Sequence, residues 1–183
     1  MKIRSAFGFL LTLAWAMAPA ASQPADDDPA LQHSVEQLRS SVGLWNVTTQ
    51  FLNPDGSTAR TVTGTYRFNW VVPDRVLSGT SDIPELEQVS AILFFVNPAK
   101  RLIQMVSVGA DGRLWIMSGA LGEEVRTTGE FATSSGGTGQ LRFTRYNVSE
   151  DRFESKMEYT EDGGRTWQPG NHQQFVRAAA GSR

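Results

Sequence analysis

The sequence predicts an all-β fold: an antiparallel up-and-down β-barrel of about ten strands with one short N-terminal helix. Two observations carry this. From Leu44 to Arg177 apolar residues alternate with a period of two, and turn signals recur about every ten residues. No later segment has a helical period long enough to cross between parallel strands, so neighbouring strands must run antiparallel. Closing so many strands into a barrel removes exposed sheet edges.

Taken in order, the chain opens with Lys2 and Arg4, an apolar run from Ala6 to Met17, and the small-residue exit Ala18-Pro19-Ala20. That is the pattern of a secretory signal peptide, and the apolar run is shorter than the roughly 20 residues of a spanning helix. The expected organisation is a signal over residues 1–20, cleaved after Ala20 with Ser22 as a neighbouring option, and a flexible linker over 21–30. One barrel domain over 31–178 and a disordered tail over 179–183 complete it. The expected location is periplasmic or secreted, with no membrane anchor after cleavage.

Leu31, Val35 and Leu38 make a helical stripe, and Gly43 is its stop. Trp45, Val47 and Phe51 then share one strand face, and Tyr66, Phe68 and Trp70 share a face of the next, which "VPDR" ends. Further strands are expected around Arg75 to Thr80, Val89 to Val96, Leu102 to Val108 and Leu114 to Gly119. The last four are expected around Glu124 to Phe131, Leu141 to Val148, Arg152 to Tyr159 and Trp167 to Arg177. "NPDGS", "GADGR" and "EDGGR" supply tight turns, and "TSSGGTG" is a longer loop.

Composition narrows the function. Without Lys2 and Arg4, 15 basic residues face 19 acidic ones, a formal charge of −4, and no basic run follows residue 20. Binding to nucleic acid is not expected, because it needs a basic patch that displaces counterions. The chain has no cysteine, so disulfides, thiol catalysis and a lipid-modified cysteine are excluded and the domain must rely on its own core.

The stretch Thr160-Glu161-Asp162-Gly163-Gly164-Arg165-Thr166-Trp167 resembles the Asp-box of sialidases and other secreted β-proteins. Its spacing has a turn rationale: Asp162 caps backbone N–H groups, Gly164 takes a positive φ, and Trp167 packs beneath the hairpin. It reads as structural rather than catalytic. No nucleophile signature is present, and an enzyme ranks last among the readings. The adjacent pair Glu123-Glu124 reads as a solvated turn, and Asp26-Asp27-Asp28 as linker rather than a calcium loop. Two N-glycosylation patterns, at Asn46 and Asn147, lie in expected strands.

The candidate ligand-binding residues are Tyr66, Trp70, Trp115, Arg145, Tyr146 and His172. The aromatic residues offer area to line a pocket, and equally to fill a dry core. In "LRFTRY" the two arginines, Arg142 and Arg145, lie on opposite faces of a strand, so one points inward in either phase, where it needs a protein carboxylate or an anionic ligand. His172, in "WQPGNHQQFVR", is either a hydrogen-bonded surface residue or the axial ligand of a haem; Pro169-Gly170 leaves the strand phase open.

Gly43-Leu44-Trp45 at the start of the first strand, with Arg177 ending the last, resembles the G-x-W and late arginine of the lipocalin and calycin group. In that group the arginine packs over the tryptophan and closes the barrel base. With "VGLWNV", "NPDGS" and "DGGRTW", residues 36 to 177 resemble a bacterial family of exported lipocalin-like domains of unknown function. The resemblance implies a barrel with a potential cavity, makes Trp45 and Arg177 structural, and brings no established reaction. The G-x-G-x-G-Y/F-P pattern of haem-binding nitrobindin barrels does not follow the tryptophan. The expected function is binding of a small apolar or amphipathic molecule without a cofactor. The alternatives are haem held by His172 and an envelope protein that binds a protein partner without a ligand.

Overall fold

The computed structural model describes residues 28–179. The expected signal, residues 21–27 and residues 180–183 lie outside them. Helix α1 (Pro29–Ser41) precedes eleven strands: β1 (Gly43–Leu52), β2 (Thr58–Val72), β3 (Val76–Ile83), β4 (Gln88–Asn97), β5 (Leu102–Gly109), β6 (Leu114–Ala120), β7 (Val125–Thr128), β8 (Phe131–Ala132), β9 (Thr138–Tyr146), β10 (Arg152–Thr160) and β11 (Gln168–Arg177). Consecutive strands pair antiparallel from β1 to β7; β7 pairs with β9, and β9, β10, β11 and β1 close the ring. The result is the expected closed barrel of ten strands, with β8 a short flap on β9.

The helix starts at Pro29, inside the stretch expected as linker. Asp28 is its N-cap, accepting from the Ala30 and Leu31 amides at 3.0 and 3.4 Å and holding Arg101 at 2.5 Å. The apolar stripe Leu31, Val35 and Leu38 plugs one end of the barrel against Leu77, Val96, Ile103 and Leu121. The expected strand from Glu124 to Phe131 divides into β7 and β8: the pairing of β7 with β9 ends at Thr127, and Thr128, still paired with Met117 of β6, accepts from the Leu141 amide through its hydroxyl at 3.0 Å. Asn147 lies in the turn after β9, at φ 50°, and not in a strand.

At the plugged end Trp45 is fully buried. Its indole N–H donates to the Ser41 carbonyl at 2.8 Å, its ring meets the edge of Phe153 at 4.8 Å, and the Arg177 guanidinium lies 4.3 Å from the ring centroid. Arg177 also donates to the carbonyls of Val42, Ser40 and Glu150 at 2.7, 3.2 and 3.0 Å. Gly43 makes this possible: its φ is 128°, and a Cβ there would stand 2.6 Å from Arg177 Nη1.

At the opposite end, the hairpin between β10 and β11 is organised by Asp162. Its carboxylate accepts from the Thr160 hydroxyl at 2.7 Å and from the Thr166 amide and hydroxyl at 2.9 and 2.6 Å. These donors hold its pKa well below the usual carboxylate range. Gly163 and Gly164 take φ values of 72° and 84°, and Trp167 donates to the Gly164 carbonyl at 3.1 Å beneath the Arg142 guanidinium.

Truncating Trp45→Ala is expected to cost about 3 to 5 kcal/mol in a denaturant melt, the range for a buried large aromatic. A smaller loss would mean that the base is held without it. The depressed pKa of Asp162 gives a second prediction. Its contribution is complete above the ordinary carboxylate pKa and fades as the pH falls below it. The melting temperature of Asp162→Asn should therefore lie below wild type at neutral pH, with the gap narrowing in acid. A gap independent of pH would show that the carboxylate charge does not matter.

Candidate functional site

The strand phase sets which side chains face inward. Trp45, Val47 and Thr49 pair with Arg177, Phe175 and Gln173 of β11, so these six share the inner face. Tyr66, Phe68 and Trp70 of β2 pair with inner positions of β1 and β3, and Leu141, Phe143 and Arg145 are the inner residues of β9. Above the helix-plugged base this interior is hollow, with a cavity of about 320 Å³. That is at the small end of the range for small-molecule pockets.

The hollow follows from side-chain size. On β3, β4 and β5 the inner positions toward the mouth are Ser81, Ser90 and Ser107, which do not reach the barrel axis. Deeper in, Phe68, Ile92, Phe94, Met105, Met117 and Phe143 supply apolar wall, and Trp115 stands near the mouth with its ring edge-on to Phe131 at 5.1 Å. One polar cluster is already satisfied: Gln173 donates to Thr49 Oγ1 at 3.0 Å and to the Tyr66 hydroxyl at 3.2 Å. Burial raises the Tyr66 pKa, against the opposing effect of its Gln173 and Ser81 hydrogen bonds.

Two arginines lie at the cavity floor. Arg126, on β7, is 2% exposed and donates from Nη2 to Gln37 Oε1 of α1 at 2.5 Å. Its guanidinium carbon lies 5.6 Å from the Phe94 ring centroid and 5.7 Å from that of Phe143. Burial lowers its pKa to about 10, so it stays protonated at neutral pH. Arg145 is 5% exposed, donates to Ser40 Oγ at 2.9 Å, lies over Phe153 at 4.7 Å and stands 3.9 Å from Glu124. Glu124 is thus half-buried between Arg145 and His33, which is 3.2 Å away, rather than part of a solvated turn.

Of the six candidates, Tyr66, Trp115 and Arg145 line the cavity. Trp70 faces inward below it and packs in the cluster around α1. Tyr146 and His172 point the other way. His172 pairs with Gln50 and Lys156 on the outer face of β11, one position out of phase with Gln173. There its ring contacts Glu154 at 2.9 Å and Gln50 at 3.3 Å and stacks on Tyr146 at 6.2 Å. On this geometry the His172 ring faces away from the barrel interior and is not placed to reach a haem held in the cavity. The inward member of the β9 arginine pair is Arg145; Arg142 lies outside, against Glu158 and Trp167.

Sequence reasoning missed Arg126 and Gln37. No local signal marks Arg126: in "EVRTT" the apolar Val125 and the charged Arg126 occupy neighbouring phases, hydropathy alone would turn the valine inward, and the structure exposes the valine and buries the arginine. Gly119 on β6 makes the room: a Cβ there would stand 3.3 Å from Arg126 Cγ and 2.1 Å from the Val125 carbonyl oxygen.

No family model matches the chain, and no curated protein does. Among solved structures, Rv2717c from M. tuberculosis matches with a TM-score of 0.51 at 14% identity, over 82% of this chain and 98% of that one. The S-type phycobiliprotein lyase CPES from Guillardia theta matches with a TM-score of 0.49 at 12% identity, over 86% and 99%. EF1p2_mFAP2b bound to DFHBI matches at 0.37 and 16%, over 80% and 98%. At these identities a likeness speaks to fold alone. The likeness to Rv2717c agrees with the closed antiparallel ring: the architecture is a lipocalin-like β-barrel.

Proposed function

We propose that this chain is an exported binding protein that carries a small amphipathic molecule inside its barrel, with no catalytic step. The observation that carries the reading is the cavity of about 320 Å³, walled by apolar side chains and bearing polar groups at defined places. The serines toward the mouth are a second support. Interiors usually fill to near crystal density, and larger residues at these positions would fill this one. The N-terminal pattern of Lys2, Arg4 and the apolar run to Met17 motivates export.

A neutral apolar dye tests this directly. N-phenyl-1-naphthylamine should brighten on addition to the mature protein, and Ser107→Trp, which places a ring in the cavity, should weaken that binding by about tenfold or more, as loss of a buried apolar site implies. Dye fluorescence that ignores Ser107→Trp would move binding out of the barrel and contradict the proposal.

A second reading, docking of a protein partner, draws on the outer face of β4 to β6. Leu93, Val106, Val108, Leu114 and Ile116 are adjacent there through the strand register, and all but Val106 are exposed. The two readings use opposite faces of the same strands. Ile116→Asp should leave dye binding unchanged while removing any association that depends on this face.

A further inference from the structure

The floor of the cavity carries more hydrogen-bond donors and more positive charge than the surrounding protein satisfies. Arg126 Nε and Nη1 and Arg145 Nε are buried with no hydrogen-bond partner. Buried guanidinium donors without acceptors are costly, and proteins normally supply a carboxylate, a carbonyl or a ligand. The rings of Phe94 and Phe143 attract the Arg126 cation but give its in-plane N–H groups no strong acceptor. Gln37 satisfies one nitrogen and is itself fixed, since its amide donates to the Glu123 carbonyl at 3.0 Å.

The charge balance points the same way. Glu124 is the carboxylate whose field reaches both arginines; its Oε1 meets His33 at 3.2 Å, while its Oε2, 3.9 Å from Arg145 Nη1, is buried without a hydrogen-bond partner, so one carboxylate faces two buried guanidinium groups. Glu36 of α1 adds to the field at Arg145, whereas Arg145 itself repels Arg126. Arg126 thus faces the cavity as a buried cation in surplus, beneath an apolar wall that rises to Trp115. A neutral apolar ligand would leave those donors unmet, and a small inorganic anion would leave the wall empty. An anionic head on an apolar tail meets both needs, and a carboxylate is the smallest such head that fits a cavity of about 320 Å³.

We propose that the cavity takes a carboxylate-bearing amphiphile head first. The carboxylate accepts hydrogen bonds from the Arg126 guanidinium at the floor, and the tail runs past Phe94 and Met105 toward Trp115 and the mouth. This rests on the barrel interior being the ligand site, and it adds the charge, the head group and the orientation of the ligand.

Calorimetric titration of the mature protein at about pH 7.5 with decanoate and with decan-1-ol tests it, since the two share a tail and differ in the head. Decanoate should bind about tenfold or more tighter, the least expected of a charge-assisted hydrogen bond in a buried site. Arg126→Met, which keeps a long unbranched side chain, should erase that preference while still binding decan-1-ol. The wild-type comparison stands even if the variant does not fold. Equal affinity for both probes would overturn the carboxylate proposal and leave the ligand cavity intact. A preference that survives in folded Arg126→Met would overturn the role of Arg126. Binding of neither probe would overturn the proposal, and the dye assay above then decides whether the cavity reading falls with it.

Discussion

The Arg177 guanidinium lying over the Trp45 ring, with its N–H groups on three carbonyls, is the constraint on which the rest of the barrel depends. Trp45 and Arg177 are register partners, so this contact ties the first strand to the last. Trp45 in turn holds the C-terminal end of α1 through Ser41, and α1 carries the stripe that plugs the base. One cation–π contact and a handful of hydrogen bonds thereby couple ring closure to the placement of the helix. The geometry tolerates little at Gly43, where both the positive φ and the closeness of Arg177 forbid a side chain without rearrangement.

That closed base defines the chemistry above it. With α1 in place, Gln37 and Ser40 reach Arg126 and Arg145, and Ser34 accepts from the Gly122 amide at 2.9 Å, pinning the turn before β7. The floor is therefore both buried and positive. Each unmet buried donor costs about 1 to 3 kcal/mol. A fold selected for stability alone would replace Arg126 with an apolar residue or give it a second acceptor. Cost accepted at one place in an otherwise well-satisfied barrel is the usual mark of a site built for something absent from the free protein.

The fold was legible because alternation and turn chemistry acted together. Tyr66, Phe68 and Trp70 share the inner face of β2 as their spacing implies, and the Asp-Gly turns fall where strands end. The Trp45 and Arg177 pairing also followed from the family resemblance. The site was only half legible. For β11, Pro169-Gly170 hid the phase, and the structure resolves it by a register shift opposite Met157 and Glu158 that turns His172 outward and Gln173 inward. For β7, the strand is four residues long, too short for alternation to identify an inner face, and its inward arginine reads as an ordinary surface charge. Only tertiary context distinguishes Arg126: Gly119 leaves room beside it, and Gln37 reaches it from 89 residues away. Asp28 escaped for a related reason, because a capping residue at the end of an acidic run looks like linker until the helix behind it is placed.

The most direct measurement is native mass spectrometry of the protein purified from its own host, followed by denaturation and identification of whatever small molecule is released. A cavity with a positive floor and an apolar wall predicts a co-purifying molecule that bears an acidic group on a hydrophobic body. Protein found only at its bare mass, and taking up no added amphiphile, would contradict a barrel built to hold a ligand.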